Sequence, residues 1–262
     1  DAELIKGGYD AEYGGRLSAV LDIRSREGNR NKIEGSSSVS LLTAQSTIEG
    51  PIPGGAFLVA ERRTYFDKVL PYVTDNFDLP YYFYDYQIKA NIDINQDHRL
   101  TYSRFYGDDV LDYAYDESDT YSNSDVSVKQ DFDFGIDWPW GNKTNGLTWR
   151  WIVSPEIIAK TFISSSRYRF NFNLGFNQRD TYTYSDSTVV VFQNIEYSIF
   201  DIINDNTIET EVTWKAAENH EVTGGFQVKD VDYDLGINIS LETQDSTFSF
   251  MPLSLKNNTR EV

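Results

Sequence analysis

Residues 107–125 hold Asp108, Asp109, Asp112, Asp116, Glu117, Asp119 and Asp125, and no Lys or Arg. Carboxylate oxygens at that density offer ligands for a divalent cation in an outer loop. The EF-hand spacing is absent, and a solvated acidic loop accounts for the same residues without an ion. Glu61, Arg62 and Arg63 set both signs of charge side by side, suited to charge-assisted bonds with another segment or to an aqueous wall. His98 and His220 each stand in a turn signal with no second histidine near in sequence, which fits solvated turn residues better than metal ligands. Without Cys there are no thiolate metal sites, cysteine nucleophiles or disulfides. No G-x-S-x-G, P-loop or H-E-x-x-H motif occurs. With 41 Asp+Glu, a glycosidase-like carboxylate pair could be drawn anywhere and so points nowhere. These residues ask for neither an enzyme nor a cofactor.

The elements that would position such residues are β-strands. Acids outnumber bases 41 to 23 in 262 residues, a formal charge of −18 that repels nucleic-acid phosphates and excludes that partner. Aromatic residues reach 15%, with 18 Tyr and 16 Phe, a β-rich usage. No apolar run is long enough for a transmembrane helix, and the opening residues Asp1 to Lys6 lack the basic and apolar regions of a signal peptide. The mean hydropathy of −0.49 leaves a transmembrane barrel open, because barrel strands spread their apolar residues over alternate positions.

That alternation is present. Tyr82, Tyr84, Tyr86, Ile88, Ala90, Ile92 and Ile94 share one parity, against Phe83, Asp85, Gln87, Lys89, Asn91 and Asp93 on the other. Phe132 to Trp140, Tyr168 to Phe176 and Ile208 to Trp214 repeat the pattern. The spacing predicts strands near 33–41, 44–52, 56–69, 82–94, 98–107, 131–153 (with a break at 139–145), 157–175, 199–215 and 220–235. The parity breaks at Arg104 and near Asp230; a bulge, or emergence of the strand from a bilayer, explains each. Compact turn signals fall at 51–55, 95–98, 154–156 and 217–220. Long polar connections are expected near 71–80, 107–130, 177–198 and from 236 onward. Short turns at one end and long loops at the other are the habit of an outer-membrane barrel. The apolar parity is then expected to face lipid. Lys89, Arg167 and Arg169 should line the lumen, and Tyr81, Tyr82, Tyr84, Trp138, Trp140, Trp149 and Trp151 should form interfacial belts.

The N-terminal stretch Tyr9-Asp10-Ala11-Glu12-Tyr13-Gly14-Gly15-Arg16, leading into Val20-Leu21-Asp22-Ile23-Arg24, resembles the end of the plug domain of TonB-dependent outer-membrane receptors. Thr47-Ile48-Glu49-Gly50-Pro51-Ile52, then Phe57 to Tyr65, is similar to the first barrel strands of the Bacteroidota-type branch. Trp140-Gly141-Asn142, Leu147 to Trp151 and Ser154-Pro155-Glu156 resemble a mid-barrel stretch of that branch.

The resemblance implies an all-β fold: an antiparallel up-and-down transmembrane β-barrel, here about nine strands of the family's 22-stranded wall, preceded by the last strand of a plug domain. Residues 1–30 would be the C-terminal end of the plug and its linker, and residues 31–262 the N-terminal portion of the barrel. It implies a receptor in the Gram-negative outer membrane that takes up a scarce nutrient: siderophore, cobalamin, glycan or peptide. The implied partners are TonB, acting through a plug region not in this chain, outer-membrane lipid and lipopolysaccharide, with a surface lipoprotein as a further candidate. Arg16 is expected to bridge to a carboxylate of the barrel wall, and Glu61, Arg62 or Arg63 to contact the plug. Nine strands leave two open edges, so further strands should complete the wall. The alternatives are a soluble or surface-attached β-protein that binds glycans through exposed aromatics, and a barrel serving as a structural subunit of a surface complex.

Overall fold

The computed structural model describes residues 2–7, 13, 18–73, 80–244, 246–249 and 252–261. A two-stranded antiparallel ribbon, β1 (Ala2–Ile5) with β2 (Val20–Ile23), opens the chain. All other strands belong to one antiparallel sheet. They are β3 (Glu34–Val39), β4 (Thr43–Ile52), β5 (Gly55–Thr64), β6 (Tyr81–Asp93), β7 (His98–Ser122), β8 (Val126–Ser154), β9 (Ile157–Tyr184), β10 (Thr188–Ala217), β11 (His220–Thr243), β12 (Ser246–Ser249) and β13 (Leu253–Glu261). Each strand from β3 to β12 pairs with the next in sequence, and β13 pairs with β11 beyond β12. The sheet is an open meander, with β3 at one edge and β12 and β13 at the other.

The antiparallel order sets the turns after β4, β6, β8 and β10 at one end of the sheet, as their compactness predicts. At the other end the long loops expected near 107–130, 177–198 and from 236 onward are corrected, while of the connection expected near 71–80 residues 74–79 lie outside the described residues. Strand β7 runs 25 residues, β8 29, β9 28 and β10 30. Residues 107–122 are strand rather than loop. Short turns close the ribbons, with Asn123 N–H donating to Val126 O and Tyr184 N–H to Ser187 O. Polar composition suggested loops there, but each segment keeps strand alternation on an unbroken ladder, and pairing outweighs composition. The break expected at 139–145 is also absent: β8 is continuous, and Val110 pairs with Pro139 across the ladder to β7. Expected strand 56–69 stops at Thr64, and helix α1 (Phe66–Val73) follows, with Asp67 in its first turn where the helix dipole favours an acid.

Directly paired residues project to the same side of a sheet, so the register sorts every side chain onto one of two faces. Arg104, Asn145, Ser165, Asn206 and Asp230 form one row across five strands. The two sequence positions where parity breaks are therefore the ends of a single line. No register shift occurs at either one; among the described residues the shifts lie at Ile152/Ser154 and Lys215/Ala217.

On the short-turn side of that line, the face carrying Tyr82 to Ile94 (the front face) is apolar. Its last row is Tyr102, Leu147, Ile163, Ile208 and Val228, each 37–48% exposed. Beyond the line the front face is mostly polar, with Asp112, Asp137, Asn173, Ser198 and Asn238 in one row, although Val110, Pro139, Phe200 and Ile202 also stand on it. The back face does the reverse. It is polar beside the short turns and becomes apolar above, where Tyr113, Ile136, Leu174, Tyr197 and Ile239 make a row. The four alternating segments thus do not share a face. Tyr82–Ile94 and Ile208–Trp214 lie in front, while Phe132–Trp140 and Tyr168–Phe176 lie behind.

Candidate functional site

The tightest packing in the sheet is where residues 25–30 cross the back face near the short turns. Ala56 and Asn91 are fully buried there, and Leu58 nearly so. Asn91 is the hub. Its Nδ2 donates to Glu27 O at 2.7 Å, and its Oδ1 accepts from Arg30 at 2.8 Å and from Arg99 at 3.0 Å. Around it, Arg30 pairs with Asp93 at 2.5 Å, Arg99 with the Glu27 carboxylate, and Lys89 Nζ donates to Ser25 O at 3.1 Å. Arg26 reaches Glu49 on β4 at 2.8 Å. Gly28 makes the crossing possible. Its φ is +88°, and a Cβ would stand 2.4 Å from Phe57 O. The crossing segment is held by polar bonds over a small apolar floor, an attachment that is specific yet separable.

The residues expected to make such contacts are placed differently. Arg16 lies outside the described residues. Arg62 is on the back face but bonds Asp85 at 2.6 Å and lies over the Phe83 ring. Glu61 and Arg63 point to the front. Glu61 accepts from Ser46, and Arg63 pairs with Asp67 and stacks over Tyr65 and Tyr82. Among the described residues, none of the three bonds residues 18–30; Glu49, Lys89, Asn91, Asp93 and Arg99 do so instead. The signal for them was there: Lys89, Asn91 and Asp93 are the polar parity of β6, and Gly28 stands between Glu27 and Arg30.

The acidic run is split by the strand period. Asp108, Asp112 and Asp116 face front; Asp109, Glu117 and Asp119 face back. Asp108 is almost buried and accepts from Arg169 at 3.0 Å, Tyr106 Oη at 2.5 Å and Tyr84 Oη at 3.2 Å. Its carboxylate lies over Gly141, where a Cβ would come within 1.9 Å of Oδ1. Asp109 accepts from Tyr81, Glu117 from Tyr115 and Asp119 from Tyr121. No three carboxylate or histidine groups converge among the described residues. The expected outer loop is therefore corrected to strand β7, which divides these carboxylates between the two faces of the sheet.

Two further placements differ from expectation. Lys89 is on the back face with the crossing segment, but Arg167 and Arg169 are on the front. The aromatic belt divides as well, with Tyr82, Tyr84, Trp149 and Trp151 in front and Tyr81, Trp138 and Trp140 behind. The rear rings pack on one another in neighbouring groups. Trp138 meets Trp140, Phe170 and Phe172 at 5.1–6.0 Å, and Phe132 meets Phe176 at 5.2 Å edge-on. Within this region, Trp138 Nε1 and Asp201 Oδ1 are buried without a hydrogen-bond partner among the described residues, and burial pushes the Asp201 carboxyl above its ordinary range. Comparison with protein-family models, with curated proteins and with solved structures returns no match.

Proposed function

We propose that the chain is part of the wall of a TonB-dependent outer-membrane receptor, with the segment before β3 as the end of its plug, and that the receptor imports a scarce nutrient: siderophore, cobalamin, glycan or peptide. The observation that carries this reading is the reversal of the sheet at the row from Arg104 to Asp230. A strand needs about 9–11 residues to cross a bilayer, and β8 to β10 have 28–30. Their front-face apolar band occupies only the short-turn third, which suits lipid. The rest would stand in water, polar outside and aromatic within. On this reading the back face is the lumen, and residues 25–30 would tether the plug at its periplasmic rim. The exposed apolar side of the β1–β2 ribbon, with Leu4 paired to Leu21, suits a surface that more of a plug would cover. The open edges suit a barrel whose remaining strands lie elsewhere in the protein.

The aromatic wall favours a second reading, a surface β-protein that binds glycans through rings. It does not account for the exposed front-face band, which includes Trp149, Trp151 and Trp214. The test is cellular. The protein should fractionate with the outer membrane, and its deletion should abolish growth on one of the named nutrient classes, as loss of TonB does. Recovery in the soluble fraction, or uptake that persists without TonB, would overturn the proposal.

A further inference from the structure

On the front face, the row just above the boundary runs Tyr106, Lys143, Arg167, Asn204 and Asp232. Lys143 and Arg167 are direct cross-strand partners, a like-charge pairing that is unfavourable unless an anion is shared between them. Both side chains are exposed. Among the described residues neither has a carboxylate within salt-bridge distance, although the chain as a whole carries −18. Their row neighbours are Tyr106 and Asn204, and their neighbours along the strands are Gly141, Asn145, Ser165 and Arg169. The nearest acids on this face are already engaged: Asp108 by Arg169, Asp230 by Arg260, Asp232 by Asn258 and Asp234 by Lys256. Arg150 and Lys160 also oppose each other, but on the back face with Glu211 next in their row.

We infer that Lys143 and Arg167 form a binding site for the phosphate groups of a phosphorylated glycolipid in the outer leaflet, with lipopolysaccharide as the source. The inference rests on the outer-membrane reading above. Their row lies two steps above the exposed row from Tyr102 to Val228, with the boundary row between them. Acyl chains against that row would bring a headgroup phosphate level with the two cations. A guanidinium and an ammonium a strand apart can share one phosphate, the guanidinium through paired N–H donors and the ammonium as a point charge.

The test uses the full-length protein extracted from outer membranes. Binding of bisphosphorylated lipid A, of dephosphorylated lipid A and of inorganic phosphate is measured for the wild type, for Lys143→Ala/Arg167→Ala and for Arg150→Ala/Lys160→Ala. Two cations at an anionic surface predict a loss of about tenfold or more for the front-face pair, with the back-face pair unchanged. The wild type should also prefer the bisphosphorylated lipid over the dephosphorylated one. Equal binding of the two lipids, or an unaffected front-face double variant, would overturn the site. Inorganic phosphate binding as tightly as the lipid would overturn its lipid source. Quenching of Trp149 and Trp151 by brominated lipid is followed in parallel. Quenching retained while phosphate selectivity fails rejects this site alone; quenching absent from the wild type rejects the membrane reading beneath it.

Discussion

Asp108 accepts bonds from Arg169, Tyr84 and Tyr106, so its removal strands a guanidinium and two hydroxyls at once. Asp108→Ala should lower stability by about 2 kcal/mol, less than a wholly buried pair would lose because Arg169 is partly exposed. Thermal unfolding in detergent measures it. Added Ca2+ should leave the wild-type midpoint unchanged, because the donors already occupy the carboxylate. Asp201 has the opposite character. Burial raises its pKa, so the folded chain binds its proton more tightly than the unfolded chain does. The resulting penalty is absent below the unfolded value of about 4 and grows as pH rises through the folded one. Asp201→Asn should therefore stabilise by about 0.5–1 kcal/mol at pH 7, discounted for solvent screening, and by nothing near pH 3.5. Paired denaturation curves at the two pH values check it. Residue types announced such carboxylates, but not their partners. The donors to Asp108 come from strands β6, β7 and β9, and only the register brings these together.

Residues 25–30 cross the back face as one element, and Asn91 holds it. Asn91→Ala leaves the Glu27 carbonyl, Arg30 and Arg99 each short of a partner, which should weaken the crossing by about 2–3 kcal/mol. Gly28→Val should act through the backbone, since φ +88° and the nearby Phe57 carbonyl leave no room for a Cβ. Both variants should be cut by trypsin at Arg24, Arg26 or Arg30 several-fold faster than wild type. An unchanged cleavage rate would mean that the segment is held elsewhere. The existence of the short-turn strands was legible in the sequence because one face of each is continuously apolar. Their extension past the boundary was not. The apolar parity changes there, and a change of parity within an unbroken strand resembles the end of a strand when only one chain segment is in view.

At the scale of the molecule, the sheet is amphipathic twice, in opposite senses. A soluble sandwich would bury one face along its whole length, and a simple membrane strand would end where its apolar face ends. Here the face exposed beside the short turns becomes mostly polar past one row of five strands, and the face that is polar there becomes rich in rings a few rows further on. The parity breaks at Arg104 and near Asp230 hinted at this boundary. That they mark one line followed only from the continuous pairing of β7 through β11. The five tryptophans sample both regimes. Trp149, Trp151 and Trp214 lie on the front-face band, and Trp138 and Trp140 on the rear wall. Single-tryptophan variants of the full-length protein in vesicles with brominated acyl chains test the arrangement most directly. Strong quenching of 149, 151 and 214, with 138 and 140 unquenched, is the predicted result. Equal quenching of all five, or quenching of 138 and 140 alone, would contradict it.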